Sequence, residues 1–241
     1  VPSAPDRPLA CVEVGGGGIE TVLLGGAEPV VLTGAHLPPG LPLLMAVPGL
    51  IRRGRVLAAS NLGWLDVDPA RELGLAATAA VVLNDAEAAA LGESALREGA
   101  ALTYVGLGTG VGGAVVADGQ VVGANLLGHG GAFSAAVCPC GRIGCLETVA
   151  AGWALPDPLP ATRLGDVAAA VARAVRDEPL AVAPLLVVAG GLARRYPQLV
   201  DAIRVALPDH VVEPSAAPAQ VKSAAAWGLA LAYAQVEGAV A

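Results

Sequence analysis

Lysine occurs once in these 241 residues, at Lys222, and charged residues make up only 15% of the chain. The 14 basic residues are outnumbered by 21 acidic ones, for a formal net charge of −7. Arginines scattered through an acidic chain do not assemble the positive stripe that a phosphate backbone requires, which argues against nucleic acid as a partner. Long apolar runs are also missing. The stretch from Leu180 to Ala193 is broken by Pro184 and Gly190-Gly191, and falls short of the roughly 18–20 apolar residues of a spanning helix. Val1-Pro2-Ser3-Ala4-Pro5-Asp6-Arg7 shows no basic region followed by an apolar one, so a cytoplasmic protein with no membrane partner is expected. No repeat at solenoid spacing is visible. The chain does have 55% hydrophobic residues, 32 Gly and 19 Pro, enough apolar surface for a core and too much for a disordered chain. Its length suits one large domain or two small lobes.

The pattern alternates strands with helices, which predicts an α/β class. Leu9–Val14, Ile19–Leu24 and Pro29–Leu32 read as a short meander turning at Gly15–Gly18 and Gly25-Gly26. A Pro-rich loop (Pro38, Pro39, Gly40, Pro42) precedes the apolar run Leu43–Val47. Ala76–Leu83 reads as a buried strand and Ala86–Arg97 as a helix with Asp85 placed to cap it. Leu102–Leu107 and Ala114–Ala117 flank a glycine loop, with Gln120–Val122 pairing beyond. Asp166–Asp177 and Gln220–Gln235 have helical composition, and Leu185–Val188 is a strand running into Gly190-Gly191. Trp64, Trp153 and Trp227 read as core, His36 and His210 as solvated loop residues, and Cys11 as a buried small hydrophobe. Arg52, Arg53 and Arg55 read as a solvated hairpin tip.

Three constellations carry chemistry. Cys138, Cys140 and Cys145 fall within eight positions, nine residues after His129. Thiolates and imidazole are preferred zinc ligands, and four of them close a tetrahedral site, so the predicted role is structural. A disulfide is the alternative, although Cys138 and Cys140 are too close in sequence to bridge without strain. The second is Gly108-Thr109-Gly110-Val111-Gly112-Gly113 after a strand. Such a loop lets backbone N–H groups converge on an anion, but it also describes a plain tight turn. The third is Asn84-Asp85 at a strand-to-helix junction. A carboxylate there can take a proton from an attacking hydroxyl, or simply cap the helix.

Taken in order, these segments resemble the ROK family (repressors, open reading frames and sugar kinases). Ala46-Val47-Pro48-Gly49-Leu50 is similar to the family's VPG segment and Ser60-Asn61-Leu62-Gly63-Trp64 to its NLGW. Leu83 to Glu93 resembles NDANAAALGE, and Leu107 to Gly113 the LGTGIGG phosphate loop. Gly128-His129 followed by Cys138 to Glu147 resembles the GH…CxCGxxGCxE zinc signature. The resemblance implies a two-lobed actin/hexokinase-like (ribonuclease H-like) α/β fold with a structural zinc. The expected lobes are residues 1–99, with a helix over 220–241 packing back on them, and 100–219 with the zinc site. It implies a sugar kinase using ATP and Mg²⁺, forming a homodimer, with Asp85 as the catalytic base. Asn61, Asn84, Asp85, His129 and Glu147 would bind the sugar. Glu13, Gly15, Gly16, Gly108, Thr109, Gly110, Gly190 and Gly191 would serve the nucleotide and its cation. His129, Cys138, Cys140 and Cys145 would hold zinc.

The departures fall on the same chemistry. Where the family reads DxGGTK, this chain has Glu13-Val14-Gly15-Gly16-Gly17-Gly18, so the threonine and lysine donors are gone. Leu126 stands where the family's GExGH places a sugar-contacting glutamate. The segments between Leu32 and Leu43 and between Glu147 and Val187 are short for the family, and no helix-turn-helix reads ahead of the fold. A DNA-binding regulator is therefore not expected. Two other readings stand beside the kinase: a degenerate binder of a sugar, metabolite or protein, and an enzyme using Asp85 without ATP.

Overall fold

A computed structural model describes residues 7–124, 127–178 and 183–240. The chain divides into two units, Val1–Gly99 with Ala216–Ala241, and Ala100–Ser215. In the first, β1 (Leu9–Gly15), β2 (Gly18–Leu24) and β3 (Val30–Thr33) form an antiparallel meander. β4 (Leu43–Val47) joins β1 in parallel. A small antiparallel sheet follows, of β5 (Leu50–Arg52), β6 (Arg55–Ala59) and β7 (Trp64–Val67). The short helix α1 (Pro69–Glu72) leads to β8 (Val81–Asn84), which pairs in parallel with β4, and to α2 (Asp85–Ala95).

The second unit begins with β9 (Leu102–Leu107), β10 (Val111–Ala117) and β11 (Gln120–Gly123), again an antiparallel meander. Helices α3 (Glu147–Ala150) and α4 (Ala161–Asp177) precede β12 (Leu185–Ala189), which lies parallel to β9. Then come α5 (Gly191–Arg195), α6 (Pro197–Ala206) and β13 (Val211–Pro214), parallel to β12. The last helix, α7 (Ala225–Val240), returns to the first unit. The two five-stranded sheets have the orders β3-β2-β1-β4-β8 and β11-β10-β9-β12-β13. Each is a meander extended by two parallel strands from its first strand. The β1–β2 and β9–β10 glycine turns therefore occupy equivalent places, a duplication that leaves no repeat of solenoid spacing in the sequence.

Several element boundaries differ from the sequence reading for local reasons. The strand expected over residues 76–83 is confined to Val81–Asn84; four of the five residues 76–80 are alanine, which is depleted in strands relative to β-branched residues. The helix after it is capped by Asn84, whose Oδ1 accepts from Ala86 N at 2.9 Å and Glu87 N at 3.2 Å. Asp85 is thus its first residue. Helix α4 starts at Ala161, earlier than expected, and buries Val167, Ala168, Val171, Ala172 and Val175 at helical spacing. Helix α7 starts at Ala225 rather than at residue 220, where Ser223 Oγ accepts from Ala225 N at 3.0 Å. Among the described residues no helix is long and apolar enough to cross a membrane.

Helices α2 and α7 approach until their backbones touch. A Cβ on Gly92 would overlap Ala224 O, and one on Gly228 would overlap Ala88 O. Gly165, exposed on α4, meets nothing within 4 Å. Gly228→Val should therefore lower stability by about 3 kcal/mol through overpacking, while Gly165→Ala should raise it by roughly 0.5–1 kcal/mol. Urea unfolding of the two variants reads both, and a Gly228→Val protein as stable as the parent would contradict the close packing.

Candidate functional site

In the first unit the chemistry gathers at the carboxyl ends of β1, β4 and β8. Asn84, buried, closes the end of β8 and uses its side chain twice. Its Oδ1 caps α2, and its Nδ2 donates to Gly49 O at 3.0 Å. Gly49 has φ +104°, and a Cβ there would overlap Ala58 O, so the Val-Pro-Gly turn requires glycine. Most of the hydrogen-bonding capacity expected of Asn84 toward a ligand is thus already used by the scaffold. Asn61 lies exposed in the turn between β6 and β7.

Asp85 Oδ1 accepts from Ala86 N at 3.0 Å. Burial pushes its carboxyl up to about 6, against the opposing effect of the backbone donors. Glu13 sits near the end of β1, its Oε2 accepting from Ser223 Oγ at 2.9 Å. Burial raises Glu13 to about 7; Ser223 and Lys222 oppose the shift, while Glu20 and Asp85 add to it by repulsion. Two carboxyls that feel one another and titrate near neutrality are what proton transfer at physiological pH calls for. Glu87 is raised as well, by burial and by Asp85.

In the second unit the β9–β10 turn is held by Gly108 N donating to Gly110 O at 3.0 Å and by Val111 N donating to Glu147 Oε1 at 2.8 Å. A Cβ on Gly110 would stand 2.5 Å from that oxygen, so glycine permits the bond. Among the described residues the amides of Thr109 and Gly110 have no protein acceptor, and both remain available to an anion. Thr109 and Gly191 share a concave surface of about 290 Å³ with Trp153, Asp157, Arg195 and Tyr196. Gly190 also has a packing role. It has φ +93°, and a Cβ would overlap Leu107 O, so it lets the start of α5 rest against β9.

His129, Cys138, Cys140 and Cys145 bring one ligand atom each to within 4.8 Å of one another. Cys138 Sγ is 3.6 Å from His129 Nδ1, and Cys140 Sγ is 3.7 Å from Cys145 Sγ. A tetrahedral zinc has edges of about 3.8 Å between two sulfurs and about 3.6 Å between sulfur and nitrogen. The donor set and its spacing therefore fit zinc, and all four cysteines of the chain are free thiols. The loop is built for this closeness. Cys138 N donates to Arg142 O and Gly141 N to Cys138 O, both at 2.8 Å, with Gly141 and Gly144 at positive φ. Glu147 adjoins the cluster, with its Oε2 4.0 Å from His129 Nδ1 and 3.8 Å from Cys138 Sγ.

Three expectations need correction. Trp153 is not core: it is 43% exposed, and its Nε1 donates to Glu147 Oε2 at 3.4 Å. His210 is not simply solvated, since its Nδ1 is buried with no hydrogen-bond partner among the described residues. Trp227 is only partly buried, while Trp64, also partly buried, packs against the core of the first unit as expected. Leu126 lies outside the described residues. What sequence reasoning missed is the pairing of Glu147 with the glycine turn and the place of Ser223 and Lys222 beside Glu13. The only available signal was the solitary lysine.

The profile of the ROK family matches residues 41–228. The chain belongs to the ROK family. Over 154 residues it is 35% identical to a glucokinase from Halalkalibacterium halodurans, a match spanning 56% of this chain and 46% of that protein. Over 120 residues it is 39% identical to an N-acetylmannosamine kinase from Escherichia coli O157:H7, spanning 45% of this chain and 41% of the relative. The chain thus spans less than half the length of these curated ROK relatives. Its α/β fold is that of the ROK sugar kinases. A ROK family glucokinase from Streptomyces griseus, in complex with glucose and AMPPNP, matches with TM-score 0.68 at 20% identity, over 95% of this chain and 99% of that one.

The ligand spacing predicts about one zinc per chain by metal analysis of protein purified without chelator. Cys145→Ser should lose the metal and lower the melting temperature. Fully folded, metal-free wild type would contradict the assignment.

Proposed function

We propose that this chain carries the machinery of an ATP-dependent sugar kinase, transferring the γ-phosphoryl group of ATP to a hydroxyl of a hexose or a close relative. The observation that carries the reading is Asp85, a carboxylate fixed at the head of α2 whose carboxyl titrates at about 6. A base poised just below neutrality is ionised at working pH and still basic enough to help. Asp85 accepts the proton of the sugar hydroxyl as that oxygen bonds to the γ-phosphorus. The bond from phosphorus to the bridging oxygen breaks, and ADP leaves.

The other residues position and balance charge, which is most of what phosphoryl transfer requires. The Thr109 and Gly110 amides and the Thr109 hydroxyl serve the phosphates. Gly108 shapes that turn, and Gly191 lines the surface for the nucleoside. Glu13, with Gly15 and Gly16 following it, is the carboxylate suited to hold Mg²⁺ through water, and the cation would offset charge on the phosphates. Glu147 keeps Oε1 on Val111 N and offers Oε2 to a sugar hydroxyl beside His129, while Asn61 lies exposed for a further contact. His129, Cys138, Cys140 and Cys145 hold a structural zinc that fixes this loop. The glucokinase and N-acetylmannosamine kinase relatives support a hexose-class substrate.

Asp85→Asn should lower kcat by about a hundred- to ten-thousand-fold without unfolding the protein. Because the carboxylate form is the base, kcat/KM should rise with pH through about 6 and level off above it. Wild-type turnover in Asp85→Asn, or a rate that falls as pH rises through that window, would overturn the role.

A further inference from the structure

We propose that the Lys222 ammonium, carried to the β1–β2 turn by the segment that leads into α7, is the cationic donor to the nucleotide's phosphates at that turn. The inference rests on the kinase reading above. It starts from a contact of long sequence range. Lys222 Nζ donates to Gly18 O at 2.9 Å, and a Cβ on Gly18 would stand 3.9 Å from the same nitrogen. The chain's one lysine is therefore held to the backbone of a turn that has no side-chain cation of its own.

The attachment is built rather than incidental. Lys222 N donates to Glu20 Oε1 at 2.9 Å, and the next residue, Ser223, donates through Oγ to Glu13 Oε2 at 2.9 Å. Two consecutive residues thus fasten to three points around the end of one hairpin. The turn itself is open: Gly16, Gly17 and Gly18 are exposed, and side chains on Gly15 or Gly17 would meet nothing within 4 Å. It is a surface that a ligand can approach down to the backbone.

Charge decides what kind of ligand can do so. Glu20 and Asp85 both repel charge on Glu13 here, and the cation acting on Glu13 is Lys222. Carboxylates alone would repel a polyphosphate. An ammonium at the turn offsets part of that negative charge, as a metal ion on Glu13 would, and lysine serves phosphate as a point charge with no demand for planar geometry. A lysine that served only to strap α7 to the hairpin would not distinguish a triphosphate from a monophosphate.

That distinction is the test. Calorimetric titrations of the full chain with Mg·ATP and with AMP are compared for wild type, K222M and K222R, alongside their melting temperatures. The ratio of the two affinities cancels any general loosening of the fold. The expected result is a ratio at least about tenfold lower in K222M and largely recovered in K222R. A ratio unchanged in K222M, whether or not the protein melts earlier, overturns the inference and leaves Lys222 as a strap. Wild type without affinity for Mg·ATP overturns the kinase reading itself, and the inference with it.

Discussion

One buried carboxylate ties the second unit together. Glu147 gives Oε1 to Val111 N at the start of β10 and turns Oε2 toward Trp153 Nε1, Cys138 Sγ and His129 Nδ1. The glycine turn, the Cys/His loop and the turn carrying Trp153 are thereby set against a single side chain. An unmatched carboxylate in this setting is costly, so each partner holds the others in place. Glycine makes the arrangement sterically possible, since Gly110 yields room for the Glu147 oxygen and Gly128 lets the chain before His129 lie against Val111 O. A metal on the four neighbouring ligands would add to the same constraint by keeping the Cys138 and Cys145 thiols deprotonated, which burial otherwise pushes toward the neutral form.

The first unit answers with a different device at an equivalent place. There the first strand of the meander carries Glu13 near its end, and the adjoining turn is open backbone. Charge is supplied from outside the turn, by Asp85 at the head of α2 and by Lys222 ahead of α7, and Ser223 adds a hydrogen bond to Glu13. The backbone contact of α2 with α7 at Gly92 and Gly228 helps fix both ends of that charge cluster. Packing, here, decides electrostatics. A shift of α7 would move Lys222 and Ser223 away from the hairpin and change how Glu13 titrates.

Much of this was legible in the sequence where a signal is local. β-Branched alternation located β1, β2 and β9 to within a residue or two, and the order of the glycine, Asn-Asp and Cys/His segments pointed to the ROK family before any geometry was known. Short elements were less legible. The β5–β7 sheet and α1 are too brief to build a period, and the capping of α2 by Asn84 instead of Asp85 depends on backbone angles that either residue tolerates. The duplicated sheet order was invisible because it is a property of strand pairing and not of residue identity. The bonds from Lys222 to Gly18 and from Glu147 to Val111 span 204 and 36 positions, and no local pattern encodes them.

The central claim is that Asp85, Glu13 and the two glycine turns still support phosphoryl transfer to a sugar although the first turn has lost its side-chain donors. Phosphorus NMR of zinc-loaded protein incubated with Mg·ATP and single sugars, glucose and N-acetylmannosamine first, addresses it directly. The account predicts a sugar phosphate resonance growing in step with ADP for at least one hexose. ATP that persists across the hexose panel, or is hydrolysed to free phosphate with no sugar phosphate formed, would contradict it.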